Sequence, residues 1–288
     1  MIEFFEWIWL HGSDWIDWFH PGIAAGCALC AGLYWWFAVA TPRRRRIDSP
    51  SHQAQQWFCY SGLATVYAAV GSPLDVLADS SLFTAHMLQH LLLCWLAAPL
   101  VVRAVPTRWL LPLRLRIRHQ FFQLVCPAIG GTLFVVWLSI YHLPFLMEAG
   151  LNDETIHFFE HAALFLTAVA FYWPIYAADR GQRLSAVGRM VYVFIVNLLC
   201  LPISLMLLFS STPWYVTYAA APRLMDGFSA IWDQKVGALL MIVAGWVAAA
   251  LPIIQSFEEW LFLSEKQVGQ QKNSFSPMRS IQEPTQQD

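Results

Sequence analysis

Apolar residues run along this chain in seven long blocks, not in the short alternations of a soluble sheet or the one-sided stripes of a soluble helix. The blocks cover residues 21–40, 56–71, 82–102, 121–141, 155–176, 190–211 and 232–254. Each is near the ~20 residues that an α-helix needs to cross a hydrocarbon layer. The pattern predicts an all-α, polytopic membrane protein with seven transmembrane helices in residues 21–255. Before it, residues 1–20 place Trp7, Trp9, Trp15 and Trp18 among acids, as expected of an interfacial segment. With Glu3, Glu6, Asp14 and Asp17 and no Lys or Arg, this is the opposite of a secretory n-region. After it, residues 256–288 form a Gln- and Ser-rich polar tail that the composition predicts to be disordered.

Composition agrees with the blocks. The chain is 58% hydrophobic and 12% charged, against about 25% charged in soluble domains. The bilayer is therefore the expected environment, and no basic face of the kind that holds nucleic acid is present. Charge also orients the helices. Of the 17 Lys and Arg residues, only Arg223 and Lys235 fall outside the segments that follow the first, third, fifth and seventh blocks. By the positive-inside rule those segments are cytoplasmic, with the N-terminus outside and the C-terminus inside. The segment 72–81 is opposite in character, with Asp75 and Asp79 and no base.

Candidate chemistry enters through the histidines. The third block contains FTAHMLQHLLLCWLAAP, with His86 and His90 at i, i+4 and hence on one helix face. The fifth opens with HFFEH, which sets His157 and His161 on one face with Glu160 beside them. With the topology above, both pairs lie in the outer turns of helices running the same way. His142 closes the fourth block and Asp233 opens the seventh at the same level. Polar side chains in apolar helices are costly and usually face a partner or a site. A lone helical His is more often a hydrogen-bonded packing residue, but two pairs at one depth favour a shared metal site. His86, His90, His157 and His161 are the expected primary ligands, with His142, Glu160, Asp233 and Cys94 as additional ligands or supports. Cys94 is included because an ideal helix continues the His86–His90 face to it. Met87 and Met147 lie near the same layer and read as gap fillers. Imidazole suits copper, zinc or iron, and only neutral imidazole binds, so affinity should fall below about pH 6. The six cysteines lie in or beside apolar blocks, which argues against a disulfide framework. The GCALCAG run with Cys27 and Cys30 reads as helix packing.

The ordered set of these motifs resembles the CtaG-like (caa3-type) family of cytochrome c oxidase assembly factors. The resemblance is carried by AHMLQHLLL with its following AAPL, YHLP around His142, HFFEH with a downstream YWPI, and DQKVGALLM from Asp233. Tyr141 stands where the family pattern tends to have Trp. The resemblance implies a multi-pass protein of the bacterial inner membrane that helps mature a haem–copper oxidase. It further implies copper handling, with oxidase subunits and copper donor proteins as partners. Two other classes compete. HFFEH has the H-x-x-E-H order of a zinc peptidase, so an intramembrane zinc or di-metal enzyme is one. A haem-binding or metal-transport protein using His from two helices is the other.

The charge asymmetry generates a direct test. Reporter fusions after Arg118 and near Asp153 should read inside and outside, respectively. The reverse result would overturn the orientation and the depth argument built on it.

Overall fold

A computed structural model describes residues 18–40, 50–106, 126–177, 180–223 and 227–275. Most of the Trp-rich segment, Arg43 to Arg46, Arg108 to Arg118 and residues 276–288 lie outside the described residues. Every regular element among the described residues is helical. Five helices are long and apolar enough to cross a membrane, and seven spans result if each of two bent pairs counts as one.

Helix α1 covers Pro21–Tyr34 and widens into a π-helical stretch, Trp35–Ala40. Helix α2, Pro50–Val70, is followed at a 41° bend by α3, Pro73–Ser80. The acidic segment is thus a helix, started by Pro73 and by the Ser72 hydroxyl, which accepts from Leu74 N. Helix α4, Phe83–Leu91, passes through a π-helical turn, Leu92–Ala97, into α5, Ala98–Ala104. Pro99 accounts for this turn. It has no N–H to offer the carbonyl of Trp95, and its ring would clash there in a regular helix.

Helix α6, Cys126–Tyr141, is followed at a 77° bend by α7, Pro144–Asn152. Helix α8 runs from Glu154 to Tyr176, capped by the Asp153 carboxylate, which accepts from the backbone N–H of Thr155 and Ile156. Helix α9 spans Ala186–Phe209, α10 is the short Val216–Ala220, and α11 spans Ala230–Phe275. Residues 256–275 therefore continue the last helix, and the expectation of disorder fails for them. The run is rich in Glu, Leu, Lys and Gln, all good helix formers, and no proline follows Pro252 until Pro277.

The helices pack α9 along α11, α8 along α6, and α4 along α11. An aromatic core holds the middle of the bundle. Phe134 stacks on Phe171 at 5.3 Å between ring centroids, and Trp95 meets both rings edge-on. Gly130 lets α6 approach α8, because a Cβ there would lie 2.5 Å from the Ala170 carbonyl oxygen. At one end of the bundle Arg189 of α9 pairs with Glu259 of α11.

The start of α4 depends on α11. The backbone N–H groups of Phe83 and Thr84 donate to the Asp233 carboxylate at 2.8 and 2.9 Å. The Thr84 hydroxyl returns a bond to the Asp233 carbonyl at 3.0 Å. A fully buried acid from one helix thus caps another, and this sets the register of His86 and His90. Asp233→Ala should cost about 1–2 kcal/mol through loss of this cap. Thermal unfolding of the purified protein followed by Trp fluorescence would check it, and Asp233→Asn should recover part of the loss.

Candidate metal centre

The first turns of α4 and α8 face each other. On α4, the i, i+4 spacing turns both His86 and His90 inward, and both are buried. On α8, His157, Glu160 and His161 share the inward face, while Phe158 and Phe159 point away and are exposed. The two helices meet at Glu160. Its Oε1 lies 2.9 Å from His90 Nε2 and 3.2 Å from His86 Nε2. The His161 ring lies 5.2 Å from that of His90 and 5.5 Å from that of His86, between centroids. One ligand atom from each of His86, His90, Glu160 and His161 can be chosen so that all lie within 4.8 Å of one another.

His157 departs from the expected four-imidazole set. Its Nε2 is 3.9 Å from Glu160 Oε2 but 3.4 Å from Asp79 Oδ1. Asp79, His86 and His157 make a second group within the same 4.8 Å limit, joined to the first through His86. Asp79 was not among the expected ligands. The available signal was its spacing from Asp75 at i, i+4, which marks one face of a short helix. Eight residues between two spans give too little periodicity to reveal that helix. Asp75 lies on the same helix, 2.5 Å from the Gln89 amide nitrogen, and Gln89 also donates to the Ala69 carbonyl. These bonds fix α4 between its two histidines.

Three expected supporting residues take different places. Asp233 caps α4, as above, and belongs to neither group. Cys94 sits in the aromatic core with Phe134 and Phe171, also outside both groups. The π-helical turn explains this, since its wider winding carries Cys94 off the line that an ideal helix would extend from His86 and His90. His142 lies at the bend between α6 and α7, fully buried, with its ring 5.5 Å from that of His90. The Tyr215 hydroxyl donates to its carbonyl at 2.8 Å and holds the bend.

Many buried polar atoms here have no hydrogen-bond partner. They include both ring nitrogens of His90, His86 Nδ1, His157 Nε2, His161 Nε2, Asp79 Oδ1 and Glu160 Oε2. Unsatisfied buried groups are rare and each needs a reason. Nitrogen lone pairs and carboxylate oxygens that converge without in-line hydrogen bonds are what a cation would satisfy. The donor set, three imidazoles and one carboxylate, fits copper, zinc or iron. The ion-pair partners of Glu160 among the described residues are all imidazoles, so no Lys or Arg neutralises it.

A glycine makes room for the second carboxylate oxygen. A Cβ on Gly150 would lie 1.9 Å from the Tyr141 hydroxyl and 3.2 Å from Glu160 Oε2. The phenol therefore lies directly on the α7 backbone beside the carboxylate. Gly150→Ala should force the phenol away and lower stability by about 1–3 kcal/mol, as overpacking does. Removing the clashing hydroxyl should restore much of this, so Gly150→Ala with Tyr141→Phe should melt above Gly150→Ala alone.

Among known families, the model described as cytochrome c oxidase caa3 assembly factor (Caa3_CtaG) matches residues 32–262. No curated protein and no solved structure was found to match the chain.

Proposed function

The chain belongs to the cytochrome c oxidase caa3 assembly factor family, and from that premise we propose that it handles copper for the oxidase at the centre between α4 and α8. The observation that carries this reading is the convergence of His86, His90, His161 and Glu160, all buried, at one point where several ring nitrogens and the second carboxylate oxygen lack hydrogen-bond partners. Neutral imidazoles with one carboxylate can hold Cu(I) or Cu(II), and zinc binds the same donors. The oxidase is the client that the family implies, and copper donor proteins are the partners that this chemistry requires. On the positive-inside reading the centre lies near the outer face of a bacterial inner membrane.

The other readings are less well supported. Haem needs a slot as wide as a porphyrin, whereas the imidazoles here pack at 4.4–5.5 Å between centroids. In an H-x-x-E-H zinc enzyme the two His bind one ion and the Glu acts as base. Here His157 and His161 fall into different groups, and Glu160 itself is among the ligand candidates. The linked Asp79–His86–His157 group does favour capacity for a second ion, so the copper reading allows one or two.

Elemental analysis of the purified protein tests the proposal. Wild type should retain copper through dialysis against a weak chelator. His161→Ala and Glu160→Gln should each weaken binding by at least roughly 10–100-fold, the loss typical even of supporting residues. A deletion strain grown on limiting copper should make the oxidase subunits but assemble an oxidase poor in copper. Full metal occupancy in the quadruple variant of His86, His90, His161 and Glu160, or copper-replete oxidase in the deletion strain, would refute the reading.

A further inference from the structure

The bend between α6 and α7 holds a contact that the centre above does not use. His142 Nδ1 lies 2.6 Å from the Leu138 carbonyl oxygen. A carbonyl can only accept, so Nδ1 carries the hydrogen, and in the neutral ring Nε2 is bare. That bare nitrogen points at the sulfur of Met87, 3.3 Å away. A thioether has no hydrogen to donate either. Two lone-pair donors thus face each other with nothing between them, and both residues are fully buried. Protonating the ring would supply a hydrogen but leave a buried cation with a thioether for a partner, a poor exchange in an apolar layer.

We propose that His142 Nε2 and Met87 Sδ form a second, softer metal site, which takes a monovalent soft cation, Cu(I). Three observations support it. First, the donor pair is matched to that ion: thioether sulfur selects Cu(I), and imidazole completes it. Second, the spacing suits a metal set beside the N–S line, which the flexible thioether can turn to meet. With metal–nitrogen and metal–sulfur bonds of about 2.0 and 2.3 Å, a separation of 3.3 Å gives an angle of about 100° at the metal, which leaves room for a third ligand. Third, the His142 side of the pair borders open space. A cavity of about 40 Å³ is lined by His142 and, farther along the bundle, by Cys200 and Met241. It exceeds what one water needs, so a water beside His142 can complete the site. His142 is fixed by its Nδ1 bond and by the Tyr215 bond to its carbonyl. The site does not depend on copper at the Glu160 centre, since it shares neither Glu160 nor His161.

X-ray absorption at the copper edge, on anaerobic Cu(I)-loaded full-length protein, reads the proposal directly. Wild type should show a sulfur scatterer at about 2.3 Å. Met87→Leu, a volume-conserving change, should abolish that shell and weaken Cu(I) binding there at least roughly tenfold. His142→Asn, whose amide can still donate to Leu138, should do the same. Glu160→Gln should keep the sulfur shell, so a failure of the copper reading at the Glu160 centre and a failure here give different results. Selenomethionine protein, which needs no substitution, should show a copper–selenium shell even where a variant folds poorly. A wild-type spectrum with only nitrogen and oxygen ligands overturns the proposal. So does a sulfur shell that survives Met87→Leu, or selenomethionine protein without copper–selenium scattering.

Discussion

A single buried carboxylate, Glu160, sits where two helices present their imidazoles, and much of the bundle serves to keep that meeting in place. In an apolar layer each of these groups is expensive to leave unpaired. Relieving that cost requires α4 and α8 to hold a fixed height and rotation relative to each other. Asp233 fixes the height of α4 from outside the helix, and Gln89 fixes its rotation from between the two histidines. Gly130 sets the approach of α6 to α8, and Gly150 lets the Tyr141 phenol lie flat against the backbone beside Glu160. None of these residues needs to touch a metal to matter for one.

The two bent spans share a consequence. Backbone inside a membrane is normally satisfied within one helix, and irregular backbone is tolerated where protein or a polar cavity takes up the loose groups. Here both bends lie beside the centre. The α2–α3 bend brings Asp79 inward, and the α6–α7 bend brings His142 inward. Breaking a span is thus how the fold delivers side chains that a straight helix would have carried past the site.

This also explains what could be read from the residues alone. Hydropathy located the apolar blocks, because length and apolarity decide a membrane helix, but it started α2 six residues late and stopped α11 21 residues short. The i, i+4 pairs found their own faces for the same reason: His86 with His90, and His157 with His161, obey ideal helical geometry. The misses at the site all lie where geometry stops being ideal. Cys94 is within a π-helical turn, Asp79 is on a short helix past a bend, and His157 chooses between two acids by tertiary position. Asp233 was recognised as polar and placed at the level of the histidines. Its role as a cap was not visible, because it satisfies a helix 150 residues away in sequence.

The last helix has a reach that the other elements lack. Its 46 residues, at 1.5 Å each, make a contour of about 69 Å, against a hydrocarbon layer of about 30 Å. The ion pair of Arg189 with Glu259 marks where it parts from its neighbour α9, and from Phe257 to Gln271 it is almost wholly exposed. Tilt alone cannot absorb that length within the bilayer. Some 16 residues, about 24 Å, continue the helix beyond Glu259. The helix therefore holds the backbone of Phe275 about 24 Å of contour beyond the Arg189–Glu259 contact, as on a spacer of fixed length.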